Sequence, residues 1–149
     1  MTVYSPVSGE VLDLACVADE AFSSEAMGKG VAIIPSNGTI ISPVGGVVTT
    51  ITKSRHAIAV ISNDGVEILI HVGLDTVKMK GEGFSLKVQE GDSVKVGDIL
   101  IEVDLAKINE RGFELITPLI ITNSDNYVSV SGVAAQNISA GSPVITIKV

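Results

Sequence analysis

Hydrophobic positions along this chain come in short β-branched bursts, not in long stripes of helical period. Val31–Pro35, Thr39-Ile40-Ile41 and Val47–Thr52 read as strands, the second entered through the turn signal Asn37-Gly38. Two more apolar runs flank Ser62-Asn63-Asp64-Gly65 and read as a hairpin. Phe84–Val88, Ile99–Asp104, the very apolar Pro118–Thr122, Tyr127–Ser131 and Val144–Val149 complete the set of strands. Between them, Glu90–Gly97 is a polar turn apart from Val94 and Val96, and the glycines of Gly73–Gly83 bend the sheet or cross it over. Only two stretches have helical character. Ser23 is placed to cap a single turn that Gly28 ends, and Asp104 to cap a short helix over Leu105–Gly112. Short strands with Gly, Pro and Asn turns predict an all-β fold, a barrel-like sandwich of antiparallel strands with one or two helical turns.

Two segments look like copies of each other. Ser5-Pro6-Val7-Ser8-Gly9-Glu10-Val11 and Ser42-Pro43-Val44-Gly45-Gly46-Val47-Val48 each give a Pro-fixed entry, a Gly turn and an apolar strand. Glu90–Asp98 against Ser139–Val144 is a weaker echo. The repeats are too short for a solenoid. No linker or low-complexity stretch interrupts the chain, so residues 1–149 are expected to form one domain.

The hairpin carries both histidines of the chain, His56 and His71. A two-residue loop at Asn63-Asp64 sets His56 opposite His71. A loop at Asp64-Gly65 sets His56 opposite Gly73, with His71 close on the same face. Either register makes a histidine pair, whereas a three-residue loop is expected to send the rings to opposite faces.

Composition narrows the picture. The chain has 149 residues, 46% of them hydrophobic and 18% charged, which fits a folded domain with a real core. The net charge of −7 and pI near 4.7 argue against nucleic acid as a partner. Cys16 is the only cysteine, so neither an internal disulfide nor a thiolate metal cluster is available. The first residues lack the basic and apolar regions of a signal peptide, and no apolar run is long enough to span a membrane. The expectation is a soluble cytoplasmic protein.

His71 ends an apolar run and precedes Val72-Gly73, a position approachable for a nucleophile. Neutral imidazole is nucleophilic and titrates near physiological pH, which suits reversible phosphoryl transfer. His56, Ser54 and Lys53 are candidates to hold the phosphoryl oxygens, with Thr76 and backbone N–H groups beyond them. Asp19 and Asp75 are the acidic candidates, able to orient an imidazole or to repel an oxyanion. Asp75 lies close to His71 in sequence, while nothing in the sequence brings Asp19 near it. The competing reading makes both histidines ordinary half-buried strand residues and both aspartates turn residues.

The run Ile70-His71-Val72-Gly73-Leu74-Asp75-Thr76-Val77, continuing to Phe84, resembles the signature of the glucose-type enzyme IIA domains of the sugar phosphotransferase system. The resemblance extends over nearly the whole chain. It takes in Pro43-Val44 with Gly46, His56-Ala57, Glu90-Gly91 with Val94-Lys95 and Gly97-Asp98, and Thr117–Asn123. It implies a phosphoryl relay. His71 would accept the group on Nε2 from the phosphocarrier protein HPr and pass it to a cysteine on the IIB domain of a sugar permease. His56 matches the second histidine, which holds the phosphoryl oxygens, and Asp19 and Asp75 match the acidic pair flanking the site. Phe22 and Val31 match apolar residues rimming the docking face, and Ser54 stands where the family often has threonine. No cofactor or metal is implied, and without a Walker-type cradle ATP is not the expected donor. Relatives occur both free and fused to transporter domains, and this length suits either.

Three other readings compete. Free members of the family also act as regulatory modules that bind transporters and metabolic enzymes. A lipoyl- or biotinyl-type carrier domain would use Met79-Lys80 as its modified-lysine hairpin. A zinc peptidase of related architecture wants three protein ligands, and the chain offers two histidines.

Overall fold

The computed structural model describes residues 1–149. Fourteen strands run β1 (Thr2–Tyr4), β2 (Gly9–Asp13), β3 (Lys29–Pro35), β4 (Thr39–Ile41), β5 (Gly46–Ile51), β6 (Ala57–Ser62), β7 (Glu67–His71), β8 (Phe84–Leu86), β9 (Ser93–Val94), β10 (Ile99–Val103), β11 (Thr117–Ile121), β12 (Ser129–Gly132), β13 (Gln136–Ile138) and β14 (Pro143–Lys148). All pairings are antiparallel. The largest sheet has the order β13-β2-β3-β11-β7-β6-β5-β9, and two three-stranded sheets, β1-β14-β12 and β4-β10-β8, complete the sandwich. Its helices are α1 (Glu20–Ser23) and α2 (Leu105–Glu110), with 3-10 turns at Leu14–Cys16, Thr76–Met79 and Ser124–Asn126. None is long and apolar enough to cross a membrane.

The sequence echo is a structural pseudo-twofold. Ser5 and Ser42 are fully buried, and each hydroxyl donates to the carbonyl two residues on, Val7 or Val44, at 2.7 Å. The copies interlock: Tyr4 N–H donates to the Pro43 carbonyl at 3.0 Å, and Ile41 N–H to the Pro6 carbonyl at 2.8 Å. Buried hydroxyls and peptide groups must be paired, which explains serine at both sites. The second echo is real as well. Gly97-Asp98 bonds Ser42 as Gly141-Ser142 bonds Ser5, so Gly97 is the counterpart of Gly141. The same offset relates β9 to β13, which edge β5 and β2. Both are polar enough to read as turns, and they pair because the repeat places them there.

One face of the large sheet packs into the main core through Val31, Ile33, Ile58, Val60, Ile68, Ile70, Leu119 and Ile121. The opposite face carries a smaller cluster of Leu14, Val17, Phe22, Ala32, Leu74 and Ile120. Strand alternation thus puts His71 outward, beside that second cluster. The early helical turn is capped by Asp19, whose carboxylate accepts from Ala21 N–H at 2.9 Å, rather than by Ser23, which closes it. Asp104 caps α2 as expected.

Candidate functional site

The hairpin adopts the register that was expected to send the two rings to opposite faces. Ala57 pairs with His71 and Ile61 with Glu67, leaving a three-residue loop of Asn63, Asp64 and Gly65. Gly65 has φ +90 and its N–H donates to the Ser62 carbonyl at 3.0 Å, a type I turn closed by a left-handed glycine. Even so, the histidine rings meet edge to face, with centroids 4.9 Å apart. Strand alternation does not govern His56, which lies before the first residue of β6. It follows Arg55, which has φ +60, so the pleat does not dictate where its side chain points.

His71 ends β7, and the chain turns at Gly73, φ +75. A Cβ on Gly73 would stand 2.8 Å from the Glu114 carbonyl oxygen and 2.7 Å from Thr76 Cγ2, so glycine is required there. His71 Nδ1 lies 2.8 Å from the Gly73 carbonyl oxygen. A carbonyl only accepts, so Nδ1 carries the proton and the neutral ring keeps a free lone pair on Nε2.

Both imidazoles are held neutral. Burial lowers the pKa of His56 to about 4, with repulsion from His71 adding to it. Burial also lowers His71, opposed by the Gly73 carbonyl and by the negative charges of Asp19 and Asp75. Packing supplies the burial. The Phe22 ring sits 5.1 Å from the His71 ring, tilted by 57°.

Asp19 and Asp75 come together, which the sequence left open for Asp19. They line one cavity of about 310 Å³ with Leu74, Phe113 and Glu114. Neither carboxylate hydrogen-bonds an imidazole, and both act on His71 through space. Asp75 has φ +60, which turns the chain into the Thr76–Met79 segment.

Three expectations need correction, those for Thr76, Val31 and Phe22. The hydroxyl that reaches His56 is that of Thr52, 3.3 Å from Nδ1, a residue not singled out from the sequence. Thr52 also accepts from Ala57 N–H at 3.2 Å, which ties the turn before His56 to β6. A hydroxyl four residues before a histidine at a strand boundary carries no sequence signature. Thr76 is fully buried and donates to the Val72 carbonyl at 2.6 Å, so it pins the turn after His71 and has no proton free for a phosphoryl oxygen. Val31, 3% exposed, packs in the main core on the other side of the sheet and rims nothing. Phe22 is equally buried and supports His71 from beneath instead of offering a docking surface. The half-buried Ala59, Ile61 and Leu69 share the outward face with His71, and Val77 is exposed on the neighbouring turn. Met79 is buried and Lys80 ends a 3-10 turn, so that pair forms no lysine-bearing hairpin tip. No three His, Cys, Asp or Glu side chains converge in a way that would hold a metal ion.

Fold and site together define a class: antiparallel β-sandwich domains that present a pair of neutral imidazoles on a shallow, partly apolar face. The glucose permease IIA of Mycoplasma capricolum has this fold, superposing with a TM-score of 0.90 at 32% identity over 97% of this chain and 94% of that one. Residues 1–127 match the family model for the phosphoenolpyruvate-dependent sugar phosphotransferase system, EIIA 1. The chain belongs to that family. It is 46% identical to the glucose-specific EIIA component of Oceanobacillus iheyensis over 95% of this chain and 86% of that protein. It is 51% identical to part of the β-glucoside-specific EIIBCA component of Bacillus subtilis, covering 84% of this chain but only 20% of that larger protein.

Proposed function

We propose that this chain relays a phosphoryl group through Nε2 of His71, taking it from the phosphohistidine of the carrier protein HPr and giving it to the cysteine of a sugar permease IIB domain. The observation that carries the reading is the bond from His71 Nδ1–H to the Gly73 carbonyl, which leaves Nε2 as the nucleophile. The Nε2 lone pair attacks phosphorus and becomes the new N–P bond, while the carrier's N–P bond breaks and leaves its bonding pair on the carrier's imidazole. The phosphorylated His71 ring is then cationic, with its Nδ1 proton retained. The Gly73 carbonyl, Asp19 and Asp75 favour that charge, since all three raise the proton affinity of the ring. Attack by the IIB thiolate breaks the new N–P bond and returns the neutral ring.

His56 is placed to donate from Nε2 to a phosphoryl oxygen, provided that Thr52 donates to its Nδ1. The apolar surface around the rings lets a docked partner exclude water from the N–P bond. The fusion of similar domains to EIIB and EIIC segments in relatives supports a permease as the acceptor.

Incubation with labelled phosphoenolpyruvate, enzyme I and HPr tests the reading. His71→Ala is expected to take up no label, and His56→Ala to take it up but pass it on slowly. Label on His71→Ala at the wild-type rate would overturn the assignment.

A further inference from the structure

A second concave site lies beside the histidine pair. Lys53 and Arg55 from the β5–β6 turn, Lys78 and Lys80 from the 3-10 turn after His71, and Arg111 at the end of α2 converge on a cavity of about 620 Å³. Half of the ten Lys and Arg residues of a chain with net charge −7 therefore line one hollow. Glu82 is the only carboxylate there, and it is shared between Arg111 and Lys107 at 3.7 Å each. Like charges gathered in a concavity repel one another unless an anion joins them.

The backbone adds an independent observation. Arg55 has φ +60 and Lys80 has φ +54, a region that favours glycine, yet both positions hold long cations that face the cavity. Gly81, φ +88, lies under the Arg55 stem, where an added Cβ would meet Arg55 Cδ at 3.7 Å. The two strained turns are thus packed against each other and fix the mouth of the cavity.

We propose that this cavity binds a small hydroxylated organic phosphate, a phosphate monoester of about sugar size. A dianionic monoester answers the surplus of positive charge and accepts from several Lys and Arg donors at once. Met79 is the one apolar lining residue, which argues against an apolar ligand. The volume exceeds what a bare oxyanion fills and falls within the range of small-molecule sites. Both cations approach Oε1 of Glu82, which leaves Oε2 to accept from hydroxyl donors on the ligand besides the phosphate. Neither histidine takes part, so the inference stands or falls separately from the relay.

The test is a titration of the full chain by two-dimensional amide NMR with glucose 6-phosphate, with separate arms for glucose, inorganic phosphate and a poly-glutamate peptide. Glucose 6-phosphate is expected to saturate and to shift amides of residues 53–55, 78–82 and 111, while glucose shifts none. Raising salt should weaken it, because the pairing is between exposed charges. Lys78→Gln with Arg111→Gln should weaken it by about tenfold or more. Both side chains are exposed, so the urea midpoint should hold. No saturable shift, or shifts confined to other residues, would overturn the proposal. Equal affinity for inorganic phosphate would reduce the site to a plain oxyanion site and overturn the claim of an organic ligand. Binding of poly-glutamate with glucose 6-phosphate inert would overturn it in favour of an acidic protein partner.

Discussion

Replacing His56 by glutamine removes a buried group that resists charge, and the effect on stability follows from its proton affinity. His56 is 7% exposed, and its pKa falls from 6.5 to about 4, by burial first and by His71 second. The unfolded chain binds this proton near pH 6.5 and the folded chain only near pH 4. Between those values the unfolded state holds more protons, so native stability falls as pH drops through the window. At about pH 5 the loss is about 2 kcal/mol, rising to roughly 3 kcal/mol below pH 4. His71, also lowered by burial, contributes in the same direction. Glutamine keeps a polar group within reach of Thr52 and does not titrate. Urea unfolding of both proteins at about pH 7.5 and about pH 5 reads the difference. The wild type should lose about 2 kcal/mol more than His56→Gln across that interval. Equal losses would refute the claim that burial keeps this imidazole neutral.

Other substitutions separate support from chemistry. Gly73→Ala combines a left-handed φ with overpacking against the Glu114 carbonyl and Thr76, so urea unfolding should show a loss of about 2–4 kcal/mol. Thr52→Val removes the hydroxyl beside His56 Nδ1. It should slow transfer to the IIB cysteine about tenfold while label uptake on His71 is retained, and Thr52→Ser should restore the rate. Phe22→Leu opens the packing beside His71, where burial is the largest cause of the lowered pKa. An NMR titration of the His71 ring should show its pKa moved upward, toward the ordinary histidine value.

Most of the architecture was legible because strand patterning with turn residues is a local signal. Thr39–Ile41 and the Asp104-capped helix lie where the sequence put them. The Ser-Pro-Val copies marked a real pseudo-symmetry because a buried serine needs its partner at the same offset in each copy. What escaped depends on tertiary context. Ser93–Val94 and Gln136–Ile138 are strands only because β5 and β2 offer them an edge. The hairpin loop stayed undecided from the sequence because Asp64-Gly65 serves either a two-residue turn or a three-residue turn with a left-handed glycine. The pairing of His56 with His71 held for a different reason, the turn through Arg55 that frees His56 from alternation. Thr52 was missed, and Val31 misplaced, because side-chain direction at a strand end and the choice of sheet face are set by long-range packing.

The claim that matters most is that Nε2 of His71 is the phosphorylated atom, with Nδ1–H held by the Gly73 carbonyl. Long-range proton–nitrogen and phosphorus–nitrogen NMR on the phosphorylated protein addresses it directly. The account predicts phosphorus coupling to Nε2 of His71 and a protonated Nδ1. Coupling to Nδ1 of His71, or to either nitrogen of His56, would contradict it.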